Sequence, residues 1–255
     1  MAWRFADIAG LYFSTLNYES ADKLIVSARP TSRVLVADTP GFFYALKGGG
    51  DMNLVLIRHS MTEGNLKRRY IGRKTDEPLC SKGIELAKRQ AKRLKALVPE
   101  YVFVSPMLRC RETASILFPN LQQIIVPDLA ECDFGKFEGK NFRELSGDED
   151  YQSWIDSGGM LPFPEGESRE EFVRRCCKAF QNIVHSYLFE TAAVVAHGGT
   201  FMAALSELEE SHTPYFDWRL PHCVPLSCYV LQKEPLKLRY DKSGRCGRAV
   251  DYGRA

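Results

Sequence analysis

The sequence predicts an α/β protein, a three-layer α/β/α sandwich with a mostly parallel central sheet. Short apolar segments typical of buried strands alternate with segments whose apolar residues recur every three or four positions, as on one helix face. Strands separated by helices need crossover connections, which make the strands parallel and cover both sheet faces with helices. The alternation begins after the glycine run at 48–50. We therefore expect an N-terminal extension over residues 1–51, the main domain over 52–240 and a C-terminal tail over 241–255.

Five short apolar runs predict the strands because each has the length and composition of a buried strand. In chain order they are residues 54–57, 101–104, 123–126, 192–196 and 227–231. The segments between them predict helices over residues 81–98, 107–117, 168–188 and 200–208. Ser81 is the predicted N-cap of the first helix, and Ser168 with Glu171 forms a capping box at the start of the third. The first helix should bury an apolar stripe made of Ile84, Ala87, Ala91, Leu94 and Val98.

Composition excludes several classes of protein. Of 255 residues 45% are hydrophobic, which is enough for a large core, and a net charge of +2 gives no reason to expect nucleic acid or membrane partners. No apolar run reaches the length of a transmembrane helix, and the first twenty residues lack the features of a signal peptide. Eight cysteines without CxxC spacing indicate reduced thiols, with a zinc site as the alternative. We expect a cytoplasmic monomer or homodimer.

Cationic and polar residues follow three of the predicted strands, at the edge where parallel α/β sheets bind ligands. These residues are Arg58 and His59, then Ser105 and Arg109, then His197 with Gly198 and Gly199. Guanidinium groups bind phosphate oxygens in pairs of hydrogen bonds, and backbone N–H groups at a helix start bind anions. The sequence has no GxxxxGK[ST] loop and no carboxylate set for a metal, which argues against a kinase or an ATPase. The pattern predicts a site for a phosphoryl group.

A histidine can attack phosphorus and form a covalent intermediate, and the leaving oxygen then needs a proton. Glu131 follows the strand at 123–126 and is the predicted donor, with Asp133 and Glu138 as rivals. Each residue alone has an ordinary structural explanation, for example a surface carboxylate or a strand-to-helix turn. Their joint placement at strand ends favours catalysis.

Five motifs resemble the histidine phosphatase superfamily, in its phosphoglycerate mutase-like branch, over residues 52–232. They are LVLIRHSMTEGN, YIGRKTDEPLCSKGIELAKRQA, VSPMLRCRETA, DLAECDFGKFEG and VVAHGGT. The resemblance implies that His59 is the phosphorylated nucleophile and that Glu131 is the proton donor and then the base. It implies that the phosphoryl oxygens are held by Arg58, Arg109 and His197, with Asn65 and the backbone around Gly198. It implies neither a cofactor nor a metal.

Further resemblances limit the range of expected reactions and substrates. Family mutases usually carry a longer, basic insertion where residues 141–167 are short and acidic, and FPEGESREEF is similar to phosphatase members. RYIGRKTDEPL is similar to alpha-ribazole phosphatases, so the expected partner is a small-molecule phosphomonoester: alpha-ribazole 5′-phosphate, in cobalamin biosynthesis, or a broader range. The alternatives are a cofactor-dependent phosphoglycerate mutase, a non-catalytic phosphate-binding module, and a metal-dependent hydrolase with His59 and His197 as ligands.

Two departures from the family pattern are visible. Ser60 replaces the usual glycine, and the loop carrying Arg73 and Lys74 is one residue longer. Met52 directly precedes the first strand, as the initiator methionine does in many relatives, so residues 1–51 are expected to be an appended segment or a misplaced start.

Overall fold

The computed structural model describes residues 52–241, and within them a six-stranded sheet is flanked by helices. The strands are β1 (Asn53–Arg58), β2 (Tyr101–Val104), β3 (Gln123–Ile125), β4 (Thr191–Ala196), β5 (Pro225–Lys233) and β6 (Leu236–Tyr240). The helices are α1 (Glu63–Leu66), α2 (Ser81–Arg93), α3 (Leu108–Leu117), α4 (Glu149–Asp156), α5 (Arg169–Ser186) and α6 (Gly198–Leu208). The extension predicted over residues 1–51 and, apart from Asp241, the predicted tail lie outside the described residues.

The strand order is β3-β2-β4-β1-β5-β6. The first four strands in this order pair in parallel, as predicted, whereas β5 runs antiparallel to β1 and β6 antiparallel to β5. The parallel strands β1, β2 and β4 therefore end at one edge of the sheet. Because β5 runs the other way, the residues before its start lie at that same edge.

Alternate residues of β1 face opposite layers, which confirms the three-layer architecture. Leu54 and Leu56 belong to a core cluster that includes buried residues of α5 and α6, whereas Val55 and Ile57 pack in a second cluster with residues of α3. All six residues of β1 are buried. The strand that carries the first motif is thus held in the centre of the molecule.

Helix α2 differs from the prediction in its N-cap and in its C-terminal end. The helix is capped by Cys80, whose Sγ accepts from the N–H of Gly83, so Ser81 is the first helical residue and not the cap. It ends at Arg93 and continues only as a 3₁₀ turn, Leu94–Ala96, so Val98 is exposed, and so is Ile84. The predicted stripe is therefore wrong at those two positions.

Three of these helices and strands were not predicted: the one-turn helix α1, helix α4 and strand β6. Helix α4 is short and begins with acidic residues, yet Asp148 caps it and it buries Tyr151, Trp154 and Ile155. Strand β6 completes a hairpin with β5. The capping box of Ser168 and Glu171 at α5 is confirmed. Within residues 52–241, no helix combines the length and apolar character needed to cross a bilayer.

Candidate active site

The ends of the parallel strands bring the predicted residues together. The N–H of His59 donates to the carbonyl of Ala196 at the end of β4 (2.9 Å), and the N–H of Ser105 donates to Val195 (3.0 Å). The rings of His59 and His197 approach edge to face, with centroids 5.1 Å apart. Both residues are buried, with exposed fractions of 3% and 0%. The sheet thus places two imidazoles side by side.

The hydrogen bond of His59 fixes its tautomer. Nδ1 lies 2.6 Å from the carbonyl oxygen of Ser60. A carbonyl oxygen can only accept, so Nδ1 carries the proton and Nε2 presents its lone pair. Burial, followed by the charge of Arg109, holds the pKa of His59 well below its usual range. The ring is therefore a neutral imidazole with a nucleophilic Nε2.

Ser60, which departs from the family pattern, is fully buried and fits without obstruction. Its hydroxyl donates to the carbonyl of Gly83 in α2 (2.6 Å). A Cβ at Gly83 would overlap the carbonyl oxygen of Met61, so only glycine allows α2 to approach this turn so closely. Ser60 ties the turn that follows the nucleophile to the start of α2.

His197 and Arg109 lie next to each other, fully buried. Nε of Arg109 donates to Nδ1 of His197 (3.3 Å), so the proton of that imidazole is on Nε2, 2.7 Å from the hydroxyl of Ser105. The other end of the Arg109 guanidinium donates to backbone carbonyls of Ile71, Gly72 and Thr75. Arg109 therefore fastens the loop at residues 71–75, which was not predicted.

Glu131 follows β3 and a 3₁₀ turn, Pro127–Leu129, and reaches the N-terminus of α6. One carboxylate oxygen accepts from the N–H of Cys132 (3.0 Å) and the other from the N–H of Gly199 (3.2 Å). A Cβ at Gly199 would overlap the carboxylate, so this approach requires glycine. Burial raises the pKa of Glu131, against the opposing effect of these N–H groups and of Arg109 and Arg58.

The two rival carboxylates have other partners. Glu138 accepts from the backbone N–H groups of Gly72, Lys74 and Thr75, and so holds the same loop as Arg109 from the other side. Asp133 accepts from the N–H of Gly135 (3.0 Å) and pairs with Lys74 (3.1 Å). Glu131 is the carboxylate of the three that lines the cavity next to His59.

The cavity measures about 490 Å³, open solvent at its entrance included. Its floor consists of buried residues at the strand ends and helix start, namely Arg58, His59, Glu131, Gly198 and Gly199. Its wall is mainly apolar and consists of Tyr70, Ile71, Phe134, Met202 and Leu220. Its mouth carries two arginines, Arg69 and Arg219, which reach solvent. Arg109 and His197 do not line the cavity and lie behind the floor.

Asn65 also lines the cavity. It is the third residue of α1 and forms a capping box with Thr62, in which its Oδ1 accepts from the N–H of Thr62 (3.1 Å). The amide oxygen is thereby occupied, which leaves the Nδ2 group as the part that can donate to a ligand.

The pKa shifts of His59 and Glu131 have a chemical consequence. With ordinary pKa values of 6.5 and 4.5, a neutral imidazole and a protonated carboxyl would coexist in at most about 1% of molecules, whatever the pH. Burial lowers the first pKa and raises the second. The site therefore favours a nucleophile and a proton donor in the same molecule.

The sequence analysis missed the apolar wall of the cavity and three cationic or titratable residues: His222, Arg69 and Arg219. His222 is buried, and its Nδ1 donates to the carbonyl of His59 (2.6 Å). It precedes β5 and was overlooked because only the residues that follow strands were considered. An antiparallel strand delivers its leading residues to the catalytic edge, which is the signal that would have found His222.

Within the described part of the chain, no group of three or more His, Cys, Asp or Glu residues is arranged to hold a metal ion. The seven described cysteines, which exclude Cys246, are free thiols.

The chain is similar to known proteins in sequence and in fold. A 2,3-bisphosphoglycerate-dependent phosphoglycerate mutase from Afipia carboxidovorans is 35% identical over 171 residues, 62% of this chain and 82% of the relative. Among solved structures, the alpha-ribazole phosphatase of Shigella flexneri superimposes with a TM-score of 0.65 at 25% identity, over 77% of this chain and 98% of the other. Bacillus stearothermophilus YhfR gives a TM-score of 0.61 at 28% identity, over 70% and 91%.

The family model described as the histidine phosphatase superfamily, branch 1, matches residues 54–242. This range includes the ends of the parallel strands β1, β2 and β4, the acidic residue Glu131 and the start of α6. The chain is an enzyme and belongs to the histidine phosphatase superfamily.

Proposed function

We propose that the enzyme hydrolyses a small-molecule phosphomonoester through a phosphohistidine formed on His59. The observation that carries the proposal is the hydrogen bond from Nδ1 of His59 to the carbonyl of Ser60. It leaves the Nε2 lone pair free in a cavity that Arg58 and Glu131 also line.

Two steps follow from this arrangement. Nε2 of His59 attacks phosphorus, the bond from phosphorus to the alcohol oxygen breaks, and the carboxyl group of Glu131 gives its proton to that oxygen. The carboxylate of Glu131 then takes a proton from water, whose oxygen attacks the phosphohistidine. The N–P bond breaks, and inorganic phosphate and neutral His59 are released. The Ser60 carbonyl supports the positive charge that the ring carries in between.

The phosphoryl oxygens are held by Arg58, by Asn65 and by the backbone at Gly198, which opens α6. A guanidinium, an amide donor and the N–H groups of a helix start stabilise the charge that develops in the transition state. Arg109 adds positive charge from behind the floor, and neutral His197 lies between Arg109 and Ser105. This charge stabilisation needs no metal, so EDTA should leave activity unchanged.

For the substrate we propose alpha-ribazole 5′-phosphate or a similar phosphomonoester with an apolar, flat alcohol part. The likeness to the Shigella flexneri alpha-ribazole phosphatase supports this choice. The wall of the cavity supports it as well, since Tyr70, Phe134, Met202 and Leu220 offer aromatic and apolar surface beyond the phosphate position.

Phosphoglycerate mutase activity is the second candidate. It is favoured by Arg69 and Arg219 at the mouth, which suit a substrate with a second anionic group, and by the mutase relatives. A mutase returns the phosphoryl group to an alcohol, whereas a phosphatase gives it to water.

The two candidates are separated by ³¹P NMR of purified protein with two substrates. A phosphatase releases inorganic phosphate from alpha-ribazole 5′-phosphate. A mutase converts 3-phosphoglycerate to 2-phosphoglycerate in the presence of 2,3-bisphosphoglycerate. Turnover of the second reaction alone would replace our proposal by the mutase. Turnover of neither, with no release of phosphate from any phosphomonoester tried, would contradict the proposed hydrolysis.

A further inference from the structure

The peptide unit that joins His59 to Ser60 is held at both ends by side chains. Its carbonyl accepts from Nδ1 of His222 (2.6 Å), and its N–H donates to Oγ1 of Thr113 (2.9 Å). The hydroxyl proton of Thr113 goes to the carbonyl of Arg109 (2.7 Å), so Oγ1 is free to accept from Ser60. Two fixed partners leave this peptide plane one orientation.

The orientation of this peptide determines the next one. It sets the direction in which the chain leaves His59, and hence the position of the Ser60 carbonyl, which accepts from Nδ1 of the His59 ring (2.6 Å). A tilt of the first peptide would therefore move the nucleophile or break its hydrogen bond. Misplacing a reacting group by about 1 Å can cost roughly 100-fold in rate.

His222 is itself fixed relative to the end of β1. Nη1 of Arg58 donates to the carbonyl of Leu220 (3.1 Å), and the N–H of Cys223 donates to the carbonyl of Arg58 (2.9 Å). The side chain of His222 is buried, and its ring packs edge to face on that of His59 with centroids 5.3 Å apart. Burial and the charge of Arg58 lower the pKa of His222, so the ring stays neutral.

We propose that His222 is a positioning residue for the nucleophile, acting through the hydrogen bond from its Nδ1 to the carbonyl of His59. This inference rests on the proposed function, since it assumes that His59 is the nucleophile. His222 takes no proton from the substrate and gives it none. The role needs a donor at the Nδ1 position and nothing from Nε2.

A pair of variants separates the two nitrogen positions. In His222→Asn the amide nitrogen lies near the place of Nδ1, whereas in His222→Gln it lies near the place of Nε2. His222→Asn should keep kcat for p-nitrophenyl phosphate within about threefold, and His222→Gln should lower it roughly 10- to 100-fold with KM nearly unchanged. Rapid-quench measurement should place the loss in the formation of the phosphoenzyme.

Equal loss in both variants, or full activity in His222→Gln, would overturn the proposal. Tautomer assignment by ¹⁵N NMR on the unmodified protein gives a second test that does not depend on how the variants fold. The ring of His222 should carry its proton on Nδ1, and a proton on Nε2 alone would also overturn the proposal. If the wild-type protein forms no phosphoenzyme on His59 while the proton of His222 is on Nδ1, the proposed function is wrong but the hydrogen bond from His222 to the carbonyl of His59 is confirmed.

Discussion

The floor and the mouth of the cavity differ in how deeply their side chains are buried. On the floor, Arg58, His59 and Glu131 have exposed fractions of 8%, 3% and 7%, and each side chain is hydrogen-bonded to the backbone. At the mouth, Arg219 is exposed and Arg69 pairs with Glu144 where both side chains are about two-fifths exposed, 37% and 43%. The floor is shielded from solvent, whereas the mouth is exposed to it.

This difference indicates how the site divides its tasks. An exposed ion pair contributes only about 0–1 kcal/mol, so a substrate anion can replace Glu144 at little cost. Breaking a hydrogen bond on the buried floor leaves a desolvated polar group, which costs about 1–3 kcal/mol. The floor should therefore govern the reaction, and the mouth should govern which alcohol part is accepted.

The largest effect should come from the floor. His59→Ala removes the nucleophile, so turnover should fall by roughly 10⁴ or more for every phosphomonoester. Thermal melting and circular dichroism should show an intact fold. Retention of even a tenth of the wild-type kcat would place the reaction elsewhere.

Glu131→Gln should have a smaller effect that depends on the leaving group. Loss of one proton donor costs about 10²–10⁴ in rate when the leaving alkoxide needs a proton. An alkyl phosphate should therefore be slowed far more than p-nitrophenyl phosphate, whose leaving group is stable as an anion. The matched control is Glu138→Gln, in the loop contact. If Glu131→Gln slows the hydrolysis of both substrates equally, the carboxyl group of Glu131 is not the proton donor.

Changes at the mouth should alter affinity and leave the chemical step intact. Arg219→Ala should raise KM for a substrate with a second anionic group, such as 3-phosphoglycerate. The increase should be at most about fivefold, because the ion pair between Arg219 and that group would be exposed to solvent. The value of kcat should not change, and the KM for p-nitrophenyl phosphate, which has no second anionic group, should stay the same. Arg73→Ala is the control, since Arg73 is also exposed but does not line the cavity. A tenfold loss of kcat in Arg219→Ala would contradict the division between floor and mouth.

Removal of residues 1–51 should have the smallest effect. The residues assigned to the floor and the match to the family model both lie beyond residue 51, so a chain that begins at Met52 should keep its kcat and most of its thermal stability. Steady-state kinetics and a melting curve on the shortened chain measure both. A large loss of kcat, or failure to fold, would show that the extension is part of the working domain.

The residues at the ends of the parallel strands could be predicted because each one directly follows its strand in the sequence. Arg58, His59 and His197 each follow a recognisable apolar strand, and parallel strands end at one edge. His222 could not be found in this way because β5 runs antiparallel, a direction that depends on the chain connection and not on the strand residues.

The contacts of Arg109 could not be predicted for a different reason. Its place after β2 is visible in the sequence, but its bonds to the carbonyls of Ile71, Gly72 and Thr75 join segments far apart in the chain. The same holds for the hydrogen bonds that Glu138 accepts from the N–H groups of Gly72, Lys74 and Thr75. Helix α4 was missed because only eight residues carry its pattern and its first turn is acidic, so that tertiary packing of Trp154 decides its existence.

Chemical trapping of the intermediate tests the central claim most directly. The enzyme is mixed with a ³²P-labelled phosphomonoester, quenched in alkali, in which phosphohistidine survives, and digested for peptide mapping. Our account predicts acid-labile label on the peptide that contains His59, and none in His59→Ala. Label on His197, on a carboxylate, or on no residue during active turnover would contradict it.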